Sequence, residues 1–154
     1  MMMRAALLPG AAWVLLALLF LPSPVRAQSV CLTLETEEHA FIYPLFAGDQ
    51  LSVTFPHSLY GSLVQEQFRI NRRGFETIKL RYAEKRLAEF YGHDSAILEN
   101  GWWVVDKPGG EHLNLGLRVS RESFIRIEFR NQVMAISDGA ARLSAGTCAQ
   151  ATHG

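Results

Sequence analysis

Between Val53 and Ile70 the apolar side chains fall on alternate positions: Val53, Phe55 and Leu59 on one arm, Val64, Phe68 and Ile70 on the other. A period of two is the signature of strands that bury one face. Gly61-Ser62 between the arms predicts a two-residue turn, with glycine at the position that needs a positive φ. This register places His57 opposite Glu66, Phe55 opposite Phe68 and Val53 opposite Ile70. The inner face then carries Val53, Phe55, His57, Leu59, Val64, Glu66, Phe68 and Ile70; the outer carries Ser52, Thr54, Ser58, Gln65, Gln67 and Arg69. Slipping one residue would mix the two sets, so the alternation fixes which residues share a face. A histidine and a glutamate interrupt the apolar stripe. An isolated ionised carboxylate there costs several kcal/mol, so the pattern predicts that Glu66 and His57 satisfy each other.

Similar short runs occupy most of the chain. Val30 to Leu34 predicts a first strand, and His39 to Phe46 a second with Pro44 marking an edge or bulge. Turns follow at Ala47-Gly48-Asp49 and Asn71-Arg72-Arg73-Gly74. Phe75 to Tyr82 returns as a strand with Ile78, Leu80 and Tyr82 on one face. Asn100-Gly101 predicts a hairpin of Ser95–Glu99 with Trp102–Asp106, which sends Trp102 and Trp103 to opposite faces. Pro108-Gly109-Gly110 predicts a loop. Leu113, Leu115, Leu117 and Val119 then form one alternating strand, Ile125, Ile127 and Phe129 another, and Val133 to Ile136 a last short one. Only Ala83, Leu87, Phe90 and Tyr91 recur at helical spacing, with Gly92 as a C-terminal cap. The pattern predicts an all-β fold: an antiparallel β-sandwich or a partly open small barrel with one short helical crossover.

The ends predict where such a domain resides. Arg4 precedes an almost continuous apolar run, Ala11 to Leu21; Pro22-Ser23-Pro24 breaks it, and Val25-Arg26-Ala27 suits a signal-peptide cleavage after Ala27. The run is short for a membrane span of about 20 residues, which disfavours an uncleaved anchor. The expected organisation is a signal peptide over residues 1–27, one β-rich domain over 28–149 and a disordered tail over 150–154. Export predicts a periplasmic or secreted location and an oxidising milieu, in which Cys31 and Cys148 form one disulfide. The rival role for Cys31, a lipidated amino terminus, is disfavoured by Gln28 where a lipobox wants Leu. Without Arg4 and Arg26, the 15 basic side chains of the full chain become two fewer than its 15 acidic ones. No basic block remains to bind nucleic acid, and no second apolar run is long enough to span a bilayer.

The candidate binding residues are His57, Ser58, Tyr60, Glu66 and Tyr91. An imidazole held by a carboxylate fixes register, binds a ligand or relays a proton. Ser58 adjoins His57, but neighbouring strand side chains diverge and no Gly-x-Ser-x-Gly elbow surrounds it, so no serine hydrolase is expected. His39, His57, His93, His112 and His153 lack close ligand spacing and neither cysteine belongs to a Cys-x-x-Cys motif, so neither metal nor cofactor is expected. Tyr60, Phe90 and Tyr91 are candidates for a binding edge.

Phe55-Pro56-His57-Ser58-Leu59-Tyr60 followed by Val64-Gln65-Glu66-Gln67-Phe68-Arg69-Ile70 resembles the domain-of-unknown-function family 1850, small exported bacterial proteins associated with tripartite (TRAP) transporters of the TAXI type. Cys31-Leu32-Thr33-Leu34, Ala88-Glu89-Phe90-Tyr91-Gly92, Gly101-Trp102 and Leu117-Arg118-Val119 are similar to further landmarks, so the resemblance runs from Val30 to Ile136. Leu63 departs from it, standing where relatives have proline. The resemblance implies an exported accessory protein that partners a transporter component or a small ligand, and it implies no catalytic residues. Two other readings are an enzyme using His57 and Glu66 as acid and base, and a periplasmic hydrolase inhibitor presenting Tyr60-Gly61-Ser62.

Overall fold

Val30, Leu32 and Leu34 point inward from β1 (Ser29–Thr36), and the same alternation builds both sheets of the molecule. The computed structural model describes residues 29–120 and 123–148; the expected signal peptide and tail lie outside the described residues. One sheet has four strands in the order β2 (Ala40–Phe46), β1, β12 (Gly139–Gly146), β9 (Asn114–Val119). The other runs β11 (Gln132–Ile136), β10 (Ile125–Phe129), β3 (Gln50–Pro56), β4 (Leu63–Asn71), β5 (Gly74–Tyr82), β7 (Trp102–Asp106), β6 (Ile97–Glu99). A two-residue strand, β8 (Glu111–His112), also pairs with β5, end to end with β7. All pairings are antiparallel and neither sheet closes on itself, so the fold is a sandwich rather than a barrel. Pro44 lies on β2, an edge of the smaller sheet, where a missing donor is tolerated.

The main core fills the space between the sheets. Leu32, Leu51, Ile70, Phe75, Ile127 and Leu143 are completely buried there, drawn from both layers. Burying each such side chain stabilises the fold by about 1.5–3 kcal/mol. Cys31 and Cys148 are disulfide-bonded, with Cα atoms 4.8 Å apart, and clasp β1 to the residues following β12. Closing a loop of 117 residues removes unfolded-state entropy equivalent to about 5 kcal/mol in the chain-entropy model. A smaller core, Val64, Tyr82, Leu87 and Ala88, lies where α1 (Lys85–Phe90) covers the far end of the larger sheet. Gly92, at φ 77°, ends that helix, and its N–H reaches the Glu89 carbonyl at 2.9 Å.

Four local features differ from the pattern reading. First, Val53 rather than His57 lies opposite Glu66, and Phe55 opposite Val64, a register displaced by four residues. The displacement is even, so each side chain keeps its expected face; the connection becomes a six-residue loop, His57–Ser62, closed by His57 N–H donating to the Ser62 carbonyl at 2.8 Å. Second, β5 bulges at Ile78, where the pairing with β4 shifts. Phe75 and Thr77 thereby join Leu80 and Tyr82 on the inner face. Third, the alternating run from His112 to Val119 is broken at Leu113. The chain switches sheets there, and Leu113, expected inside, is 75% exposed. Fourth, Gly139–Gly146 forms the inner strand β12, although its Ala, Ser and Gly content carries little strand signal.

Candidate functional site

The smaller sheet ends at β9, but the inner face of the larger sheet continues beyond that edge. A cleft of about 400 Å³ opens along the seam. Val53, Phe55, Glu66 and Phe68 form its wall on the larger sheet; Leu115, Leu117 and Arg118 border it from β9, with His112 and Asn114 at the crossover between sheets. Its polar and apolar groups are set by two alternations. Along β4, Val64, Glu66 and Phe68 face inward, so Glu66 occupies a position that the strand otherwise gives to hydrocarbon. Along β9, the inward residues alternate with Asn114, Gly116 and Arg118, and the free edge brings both kinds to the opening.

Glu66 is the chemical anomaly of the cleft. Its carboxyl makes no hydrogen bond or ion pair with the described residues. Burial pushes its pKa above the usual carboxylate value, and the nearby His112 imidazole offsets part of that rise. The tyrosines Tyr82 and Tyr91 are both shifted upward, first by burial and then by the Glu66 charge. His112 is held by Thr77 Oγ1 at 3.0 Å from its Nε2 and by edge-on contact with the Phe68 ring, centroids 5.9 Å apart. Its backbone passes so close to Gly74 that a Cβ there would lie 2.0 Å from the His112 carbonyl oxygen; glycine at φ 144° is therefore part of the cleft's construction.

The sequence-predicted site divides in two. His57, 7% exposed, sits just after β3 and accepts a hydrogen bond at Nδ1 from the Leu59 N–H at 3.3 Å. That bond leaves its proton on Nε2. Tyr60 stacks on the imidazole at 5.3 Å, and Phe90 and Tyr91 meet it edge-on at 5.2 and 5.6 Å. Arg86 lies over the other ring system, 4.9 Å from the Tyr60 centroid, and Ser62 donates its hydroxyl to Glu84, which also pairs with Arg86. His57, Tyr60 and Tyr91 are thus brought together, Ser58 is exposed beside them, and Glu66 faces the cleft. The expected His57–Glu66 hydrogen bond is absent because the longer loop carries His57 past the end of the ladder. Tyr91 links the two halves: its ring contacts His57 and its hydroxyl feels Glu66.

The cleft residues His112 and Arg118 were not singled out as site residues by pattern. The polar residues Asn114 and Arg118 alternating with leucines are a signal only once β9 is known to be an edge. Among the described residues, no three His, Cys, Asp or Glu side chains gather to hold a metal ion, and no helix is long and apolar enough to cross a membrane. The cleft offers a half-buried carboxyl, two aromatic rings on one wall and the Arg118 guanidinium at its border. No family model matches the chain, and no curated protein or solved structure matches it.

Proposed function

We propose that this chain is an exported, non-catalytic binding domain that holds a small organic ligand in the inter-sheet cleft. The observation that carries this reading is Glu66: a half-buried carboxyl in an apolar wall, without a hydrogen-bond or ion-pair partner among the described residues, beside an open cavity. Such a group costs stability in the empty protein, and a ligand that completes its hydrogen bonding accounts for its presence. The cleft volume, about 400 Å³, falls in the range of about 300–1,000 Å³ usual for small-molecule sites. The disulfide supports an oxidising, extracytoplasmic location, periplasmic or secreted. The resemblance to exported transporter-associated proteins supports an accessory role beside a TAXI-type transporter.

Native mass spectrometry of the full chain, purified from a host that exports it, tests the reading. The expected result is a retained small molecule that disappears in Leu117→Trp, whose indole fills the cleft from its edge. An empty protein in both forms, with no cleft amide moving in a fragment screen followed by NMR, overturns it.

A second reading is favoured by one observation. Leu59, Tyr60, Phe90 and Tyr91 are exposed together around buried His57, a surface suited to a protein partner such as a transporter component or an exported hydrolase. Affinity capture with the full chain and with Phe90→Glu tests it: a partner held equally by both forms would remove this surface from consideration. An acid–base enzyme built on His57 and Glu66 has less support, since no hydrogen bond joins the two side chains.

A further inference from the structure

Two groups of opposite charge border the same cleft from opposite layers. Glu66 projects from β4 of the larger sheet, and Arg118 stands on the edge strand β9 of the smaller one. Neither makes an ion pair with the described residues, whereas Arg69, Lys79, Arg126 and Arg130 on or beside the larger sheet are all paired with carboxylates. The wall between them is apolar and partly aromatic, supplied by Phe55 and Phe68. We infer that the cleft selects a zwitterionic ligand of the α-amino-acid class, its ammonium group taken by Glu66, its carboxylate by Arg118 and its apolar side chain by Phe55 and Phe68. The inference rests on the binding reading above and names the ligand class for that site.

The chemistry favours a zwitterion over either single charge. A simple amine would satisfy Glu66 but leave the Arg118 guanidinium at the rim without an anion. A simple acid would satisfy Arg118 but would leave the half-buried carboxyl unpaired, and a polar group left unpaired by the wrong ligand is a source of discrimination between otherwise similar ligands. Arg118 presents a planar guanidinium suited to a carboxylate in two parallel hydrogen bonds. Glu66 must ionise to pair with an ammonium. The titratable groups that act on it or respond to it are His112 from β8, Tyr82 from β5 and Tyr91 at the end of α1, while Arg118 borders the same cleft from β9. Both phenols are held protonated by their raised pKa values, so affinity is expected to increase as pH rises through the elevated Glu66 pKa.

Calorimetric titration of the full disulfide-bonded chain with L-phenylalanine, phenethylamine and 3-phenylpropionate tests the assignment. The expected result is that L-phenylalanine binds at least about tenfold more tightly than either analogue. Glu66→Gln is expected to abolish its advantage over 3-phenylpropionate, and Arg118→Met its advantage over phenethylamine. If the amine or the acid binds as tightly as the zwitterion, and Leu117→Trp still blocks it, the zwitterion assignment falls while the cleft reading stands. If none of the three binds, the zwitterion assignment falls. The mass-spectrometric comparison with Leu117→Trp then decides the cleft reading separately.

Discussion

The larger sheet is covered twice, and the two coverings behave differently. Over β10, β3 and half of β4 and β5 lies another sheet. That region is mostly aliphatic, clasped by the disulfide and closed except along the edge of β9. Over the other end lies a helix of six residues, whose Leu87 and Ala88 pack on Val64 and Tyr82 of the sheet, with Phe90 and Tyr91 left 52% and 44% exposed at its end. A strand layer satisfies its own backbone through its neighbours and extends its cover laterally. A six-residue helix turns little more than two side chains inward, here Leu87 and Ala88. The cleft opens at the free edge of the smaller sheet, between β9 and the wall made by β3 and β4, and no residue of the helix lines it.

This contrast is open to test, beginning with the largest effect. Phe75→Ala, at a fully buried position in the sheet-covered region, is expected to cost about 3–5 kcal/mol. Urea unfolding followed by tryptophan fluorescence and by circular dichroism should give coincident transitions. Cys148→Ser is expected to cost about 3 kcal/mol. Reductant should lower the melting temperature of the wild type to that of the variant and leave the variant unmoved. Leu87→Ala on the buried face of the helix is expected to cost about 2 kcal/mol, mostly by local opening. Amide exchange should quicken in α1 and stay slow in β1 and β12; equal acceleration in β12 would mean that the two regions open as one unit.

The smallest effect separates the coverings by charge. The folded state holds the Glu66 proton more tightly than the unfolded chain does, because burial raises its pKa. Stability from this source is complete below the ordinary carboxylate value and is lost as pH rises through the raised one. Glu66→Gln is therefore expected to match the wild type near pH 4 and to melt higher at neutral pH. Melting curves of both proteins between pH 4 and 8 measure the difference; a variant that is less stable throughout would place a partner on Glu66.

The sandwich was legible because most strands follow a strict two-residue alternation, and face assignment survives any even slip of register. For this reason Glu66 was correctly set on the inner face although its partner was misassigned. Gly61, at φ 66°, does lie in a turn, but the turn includes His57 itself, and no local rule separates two-residue from six-residue closure when the flanking residues are apolar. Strand β12 was missed because Ala140, Ala141, Ser144 and Ala145 derive their burial from neighbouring strands rather than from their own hydrophobicity. The break at Leu113 was missed since both halves of the run alternate in phase. His57, Tyr60 and Tyr91 stood out as candidates by residue type, but their mutual ring contacts did not. His112 and Arg118 were not, because they reach the cleft only through the pairing of elements distant in sequence.

The clasp between Cys31 and Cys148 has one more consequence. Every turn and crossover between β1 and β12 lies inside the ring that this bond closes. A protease that severs any one of them yields a nicked molecule whose two pieces remain covalently joined, migrating as a single band until a thiol is added. As long as the bond stays oxidised, damage to one loop would leave the two pieces tethered.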